Sequence, residues 1–600
     1  MDFFEQQAQA RRASRWLVVA YLLSALFVVA SFNLAAALGY SVLAFIGLAP
    51  LAPTLFHLWV TGVVGGIVLG VSAWRIWKLS EGGPAMAELL GARYLSRSQA
   101  DAAESRLLNV VEEMAIASGV AVPPVYVLLH DDAINAMVAG HSPNEAVIIV
   151  TRGLAQKLTR DELQGVMGHE FSHLLNGDMV LNIRLAGLLG GLTWFGEAGE
   201  KLVWSAAAEA SATAREDRGG EVFGAIAGAL IAFIGFPGSF AAQAIKAAIS
   251  RKRELLADAA SVQFTRNPDA IAGALDAVSL LHAGTTLRGV MVEKLSHMFF
   301  LPAFVRWWGF PTHPPIEERI RTVNPGFRRE EYRRTRPGAR TERSEVAVLD
   351  GQGNVVEVLG AAAAIALAPT REHIDYARRL LGQLPAELKT RLGAPEGAAA
   401  AMIELLQGKL AGVPSNQALL LIDLALPALK EWPQARRDAF LADVDRTVAA
   451  DGKVTLREFV ESTILRQRLR EGAGKPIRTQ FRKVAEVAAD ARAAISLVAH
   501  LSTIETSAAY AQGRKLLGLE AAEALPLAAL TPPRLAAALE RLRVLDPFEK
   551  PRVLKACVAT AAADGKFRLA EMELVRAVAA TLDCPVPPVI GALDPATLPA

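Results

Sequence analysis

Between Trp16 and Trp74 the chain carries no Lys, Arg, Asp or Glu, and His57 is the one titratable side chain there besides Tyr21 and Tyr40. Such a run cannot line the surface of a water-soluble domain. Because about 20 apolar residues span the hydrocarbon of a bilayer, it predicts two membrane helices, near 16–38 and 56–77, joined by a short stretch around Pro50 and Pro53. Arg11, Arg12 and Arg15 precede the first and Arg75 and Lys78 follow the second, which places both ends in the cytoplasm by the positive-inside rule. A cleaved signal peptide is the competing reading, but the run is much longer than a signal core and lacks a cleavage site. The composition agrees with a membrane class: 52% of the 600 residues are hydrophobic and the mean hydropathy is +0.28. A formal charge of +2 gives no basic bias, so nothing argues for nucleic acid. Cys557 and Cys584 are the only cysteines, which excludes a disulfide scaffold and a cysteine-based metal site and suits a reducing compartment.

Residues 85–178 read as a soluble segment. A helical stretch (98–118) is followed by P-P-V-Y-V-L-L (123–129), then I-N-A-M-V-A-G (134–140) and A-V-I-I-V-T (146–151), the last two as paired strands. Thr159, with Glu162 three residues on, forms a capping box that starts a helix, and Asn176-Gly177 ends it. That helix carries H-E-F-S-H: His169 and His173 stand four apart, on one face, with Glu170 beside them. The spacing lets both imidazoles bind one metal ion. Two buried, satisfied core histidines would be the plain alternative, but packing alone gives no reason for Glu170.

A third ligand is sought downstream. In S-R-K-R-E-L-L-A-D (250–258), Glu254 and Asp258 again stand four apart, so Glu254 can reach the metal while Asp258 accepts a hydrogen bond from a ligand imidazole. An ordinary charged helix surface is the competing reading. Between the two motifs lie further apolar stretches, 179–199 and 222–248, separated by a polar loop around Arg215. They read as a second membrane hairpin that returns both ligand-bearing helices to the cytoplasmic side, marked by Arg251, Lys252 and Arg253. Arg184, Glu197 and Glu200 weaken the third span, and a buried amphipathic helix pair is the alternative.

Taken in order, I-N-A-M-V-A-G, H-E-F-S-H-L-L-N-G-D, R-E-L-L-A-D and T-H-P-P-I-E-E-R-I (312–320) resemble the HtpX-like membrane zinc metallopeptidases, relatives of the CAAX prenyl protease. The resemblance covers residues 85–325, with the N-terminal hairpin as a further match. It implies a mainly α-helical, gluzincin-like integral membrane enzyme with a small β-sheet beside the active-site helix. It also implies one zinc ion held by His169, His173 and Glu254, with Glu170 as catalytic base. Asp258 would be the partner of a ligand imidazole, and His313 and Arg319 would lie near the site. Leu255 stands where the family usually has an aromatic residue, and Met137 where it often has Phe; neither change removes a ligand. His313 is the candidate donor to the oxyanion, against the alternative that Thr312 to Pro315 merely cap a helix starting at Ile316. The strand at 146–151 would offer its edge to an extended polypeptide substrate, with Asn135, Ala136, Ile148 and Val150 as binding candidates.

After Pro325 the character changes. Residues 326–345 are crowded with Arg and Glu and read as a solvated linker, followed by a β-hairpin at 346–359 and Ala-rich helical sequence. Here V-A-A-D-G-K-V-T-L-R-E-F (448–459) recurs as A-A-A-D-G-K-F-R-L-A-E-M (561–572). The earlier positions of an EF-hand loop lack carboxylates, which argues against calcium. The pattern more closely resembles TerB-type tellurite-resistance domains, implying a module that binds a protein partner. The expected organisation is a membrane hairpin (1–80), a zinc peptidase domain (81–325) with a membrane insert (179–248), a linker with a hairpin (326–368) and an all-α TerB-like region (369–600). The expected protein is a multi-pass enzyme of the bacterial inner membrane, with its active site and both termini cytoplasmic, acting on unfolded or membrane polypeptides. A catalytically silent scaffold that recruits partners is the alternative.

Overall fold

The uncharged run folds into α1 (Phe3–Phe45) and α2 (Thr54–Leu79). This computed structural model describes residues 3–47, 54–79, 82–212, 219–280, 298–301, 313–336, 370–410, 417–450, 452, 454–470, 479–502, 504–519, 523–547, 549–564, 568–584 and 586. Pro50, Pro53, Arg215, Thr312, Arg340, Asp451 and the hairpin expected at 346–359 lie outside them.

The apolar insert forms two more long helices, α7 (Asp178–Ala212) and α8 (Gly219–Thr265). Four segments are thus long and apolar enough to cross a membrane: Val19–Phe45, Thr54–Leu79, Asp178–Ala208 and Val222–Thr265. Helix α7 is the central one, packed against α1, α2 and α8. Phe45, Trp59 and Phe233, exposed by 92%, 73% and 77%, would be a heavy liability in water, whereas hydrocarbon accepts them. The charge that weakens the third span has a partner: Glu197 pairs with Arg75 of α2 at 2.7 Å and takes the Thr193 hydroxyl at 2.6 Å. Arg75 therefore ties the two hairpins together.

The expected soluble helix is α4 (Ala102–Ser118), which Asp101 caps, so it starts four residues later than the sequence suggests. Between α3 (Gly83–Leu89) and α5 (Arg152–Lys157) lie four strands: β1 (Arg93–Tyr94), β2 (Val125–Leu128), β3 (Ala136–Ala139) and β4 (Val147–Thr151). The sheet order is β1-β2-β4-β3, with β4 parallel to β2 and antiparallel to β3, pairing Val138 with Ile148. This order corrects one expectation. Strand β4 is internal, with hydrogen-bonding neighbours on both sides, so it has no edge to offer. Ile148 and Val150 are buried in the core beneath it; the outer strands of the sheet are β1 and β3.

Helix α6 (Arg160–Asn176) packs on α4, α8, α9 (Pro268–Ser279) and β3. Beyond Pro315 come α10 (Ile316–Val323) and α11 (Arg329–Thr335). The latter falls where the arginines suggest a solvated linker, yet carboxylates bind it to the protein. Arg333 grips buried Asp276 with two bonds of 2.7 Å, and Arg336 and Tyr332 hold Glu162 at the start of α6. The rest is all α among the described residues, eleven helices from α12 (Arg371–Gln383) to α22 (Leu569–Thr581). They dock on α4 and on the β3–β4 turn, where Asn144 Nδ2 donates to Asp583 at 2.6 Å and Arg378 approaches Glu113 at 3.5 Å.

Candidate metal centre

Helix α6 begins and ends as its sequence predicts. The Thr159 hydroxyl accepts from Glu162 N at 3.3 Å, the Glu162 carboxylate accepts from Thr159 N at 2.8 Å, and Gly177 closes the helix with φ of 69°. Two glycines on its inner face set how near its neighbours come. A Cβ at Gly168 would sit 2.9 Å from Ser261 Oγ of α8, and one at Gly165 would sit 2.7 Å from Ile271 N of α9. This close approach lets α8 present Glu254 and Asp258 to the histidines across the helix interface.

His169, His173 and Glu254 bring one ligand atom each to within 4.8 Å of one another, all three buried. Each imidazole is fixed from behind. His169 Nδ1 lies 2.9 Å from Asp258 Oδ1, and His173 Nδ1 lies 2.8 Å from Asp178 Oδ2. A carboxylate accepts, so both Nδ1 atoms carry the proton and donate it. Both Nε2 lone pairs then face one point, only 3.1 Å apart, with Glu254 oxygens 3.4 and 3.6 Å away. Two acceptors at that distance have nothing to exchange between them, and Glu254 Oε2 has no hydrogen-bond partner. A cation satisfies all three. With no cation between them a proton takes its place: although burial works against a charged ring, the Asp178 and Glu254 carboxylates push His173 up to about 10, so the pocket favours positive charge. An N, N, O donor set at the junction of two helices fits zinc.

Arginines complete both supports. Arg319, with no exposed surface, clasps Asp258 through Nε and Nη2, each at 2.7 Å. Arg253 pairs with Asp178 and approaches Asn182. Each ligand histidine thus has its own Asp–Arg pair. The Asp178–Arg253 pair is absent from the sequence reading, where Asp178 is only the end of a motif and Arg253 only a topological marker. The available signal was local: Asp178 follows the turn that ends α6, and Arg253 adjoins Glu254.

Both Glu170 carboxylate oxygens are buried without a well-formed hydrogen bond, the Val138 backbone N–H being the donor near them, and burial raises its carboxyl above the usual range. His313 caps no helix: α10 starts at Pro315 without a side-chain cap. Its Nε2 instead donates to Phe299 O at 2.7 Å and lies 3.8 Å from Glu254 Oε2. Burial, helped by Arg319 and opposed by Glu254, holds His313 below its ordinary value. Asn135 and Ala136 lie at the β3 edge beside this cluster, fully buried.

Comparison with known proteins agrees with this geometry. The profile of Peptidase family M48 matches residues 101–325. A "Protease HtpX homolog" of Syntrophobacter fumaroxidans is 32% identical over 285 residues, 45% of this chain and 95% of the relative. Others from Lactobacillus helveticus (33% over 228 residues, 37% of this chain and 74% of the relative) and Dictyoglomus turgidum (35% over 217 residues, 36% and 68%) are similar over the same part. No solved structure matches. With four apolar helices, a small sheet and a buried His-His-Glu cluster, the chain belongs to the HtpX-like membrane metallopeptidases of family M48.

Proposed function

We propose that the protein is a zinc-dependent endopeptidase that cuts unfolded or membrane polypeptides, for quality control or processing, at the cytoplasmic face of the bacterial inner membrane. One observation carries this reading: two imidazole lone pairs and a carboxylate converge on one point beside Glu170, whose oxygens have no well-formed hydrogen bond. When bound there, one zinc ion polarises a water molecule and lowers its pKa towards neutrality. Glu170, its proton affinity raised by burial, takes a proton from the attacking water and hands it to the leaving amine. His313 Nε2–H, which donates to Phe299 O in this structure, would donate instead to the charge that develops on a bound substrate's carbonyl oxygen. Asp258 with Arg319, and Asp178 with Arg253, keep the imidazoles oriented. The β3 edge, through Asn135 and Ala136, aligns an extended backbone. A catalytically silent scaffold would have no use for a buried carboxylate kept without a well-formed hydrogen bond.

Arg11, Arg12, Arg15, Arg75, Lys78 and Arg251 to Arg253 flank the spans, which supports a cytoplasmic position for both termini and the metal centre. Labelling of a cysteine introduced at Arg340 from outside intact cells would contradict that topology. The all-α region from 369 onward is proposed to bind a protein partner. The catalytic reading is tested by incubating the full-length, detergent-purified protein with casein. Cleavage should need zinc, stop on chelation and return when zinc is restored; cleavage unaffected by chelation would contradict it.

A further inference from the structure

The C-terminal region grips the turn between β3 and β4 at one residue, Asn144, and does so from two helices. Asn144 Nδ2 donates to Asp583 Oδ1 at 2.6 Å and reaches Ala580 O, a carbonyl of the last turn of α22, at 3.4 Å. The backbone oxygen of Asn144 accepts from Lys430 Nζ at 2.5 Å, and Lys430 is the residue that closes α15 (Ala418–Leu429). The turn is tightly folded on itself: a Cβ at Gly140 would meet Ala146 Cα at 2.9 Å. A second hold lies on α4, where Glu113 accepts from Arg160, the first residue of α6, at 2.5 and 2.6 Å and from Arg378 of α12 at 3.5 Å. The C-terminal region therefore reaches both the start of the helix that carries His169 and Glu170 and the turn of the strand packed on that helix.

Asp583 stands at an unusual backbone position. Helix α22 ends in a Schellman motif, with Cys584 N donating to Ala579 O at 2.9 Å and Asp583 N to Ala580 O at 3.4 Å. The motif puts Asp583 in the left-handed region, with φ of 54°, where glycine is favoured. Among the described residues Arg266 is the only other non-glycine with a positive φ. The end of α22 would be served better by glycine, and what the aspartate adds is the carboxylate that holds Asn144.

The strand steadied by this grip is β3. It packs on α6, its Val138 backbone N–H is the donor near the Glu170 carboxylate, and its Asn135 and Ala136 lie beside the metal cluster. Turnover by the proposed mechanism requires the base and the strand that aligns the substrate to keep their relative position, and a misplacement of about 1 Å can cost about a hundredfold in rate.

We propose that the C-terminal region is a positioning brace for the peptidase centre: through Asn144 and Asp583 it fixes the β3–β4 turn, and with it β3, relative to α6. Asn144 and Asp583, 439 residues apart in sequence, are then positioning residues for turnover. This rests on the peptidase reading above, and it gives the C-terminal region a partner within its own chain.

The test uses zinc-loaded, full-length protein and casein. Asp583→Gly removes the carboxylate yet suits the left-handed position, so α22 should end as before and the melting temperature should hardly change. Asn144→Asp removes the donor and sets two carboxylates against each other. Each variant should keep its zinc and lose about tenfold in kcat/KM. Joining Asn144→Asp to Asp583→Asn exchanges donor and acceptor, and should restore kcat/KM to within about twofold of wild type, which two independent losses could not do. Should Asn144→Asp fold poorly, Asp583→Gly still decides: cleavage of casein at the wild-type rate would overturn the proposal, and so would loss of its zinc, because the brace acts on β3 and not on the metal ligands. A folded paired variant as slow as Asn144→Asp alone would overturn it too. A zinc-loaded wild-type protein that leaves casein intact would instead defeat the peptidase reading beneath it.

Discussion

The metal centre and the C-terminal helical region both bury charge, and they treat it in opposite ways. In the C-terminal region the buried carboxylate of Asp423 pairs with Arg468 and, at 3.2 Å, with Arg576. Glu571 accepts from Arg568 N at 2.9 Å and from its side chain at 3.0 Å. Both carboxylates are matched within the fold, although Arg468 Nε and Glu461 Oε2 nearby in sequence are buried without a partner. At the metal centre, by contrast, both oxygens of Glu170 and one of Glu254 have no well-formed hydrogen bond, and two imidazole lone pairs face each other. Leaving buried polar atoms unmatched costs a protein about 1–3 kcal/mol each, so an arrangement that keeps several together is explained by what they hold or do. The contrast sets charges paired within the fold apart from a cluster that the proposed metal ion would satisfy.

Substitutions can break or sharpen that contrast. The largest effect is expected at Glu170→Gln, which keeps shape and removes the base: casein turnover should fall by between about a hundredfold and ten-thousandfold while metal analysis finds zinc retained. Unchanged turnover would exclude Glu170 as base. On the structural side, Asp423→Ala leaves Arg468 buried without its anion and should cost about 3 kcal/mol or more of stability. Thermal unfolding would measure this, with the zinc content unaltered; loss of zinc would mean that the two regions are not separable. Asp178→Asn weakens the support behind His173 and should lower zinc affinity by roughly ten- to a hundredfold, read by competition with a chelator. An unaltered affinity would show that the Asp178–Arg253 pair serves only the packing of α7 on α8. The smallest effect is expected at Glu571→Ala, about 1 kcal/mol from the lost cap, with calcium making no difference to the melting temperature.

That last prediction follows from what the repeat does. In both copies the glutamate after Asp-Gly caps a helix: Glu458 accepts from Thr455 N at 2.8 Å at the start of α17 (Leu456–Leu469), and Glu571 does the same for α22. Asp564 pairs with Arg568 at 2.7 Å. Helices α17 and α22 pack on each other, and among the described residues the repeated glutamate serves each as a cap.

What could be read from the sequence was what depends on local spacing. Thr159 with Glu162, His169 with His173, and Glu254 with Asp258 are separated by three or four residues, and the period of a helix fixes their shared face before any tertiary contact is known. What could not be read depends on which distant elements meet. Strand β4 looks the same in sequence whether it is central or at an edge, and only the order of the sheet shows it to be central. The arginines of α11 read as solvated until Asp276 and Glu162 appear beside them, 57 and 174 residues away in sequence. Asp178 and Arg253 meet only because α7 and α8 pack side by side.

The central claim is that His169, His173 and Glu254 together hold a catalytic zinc ion. Metal analysis of the purified full-length protein, beside the His173→Ala and Glu254→Ala variants, tests it most directly. The account predicts about one zinc per chain in the wild type and far less in either folded variant. A wild-type protein that carries none after reconstitution with zinc, or folded variants that retain it in full, would contradict it.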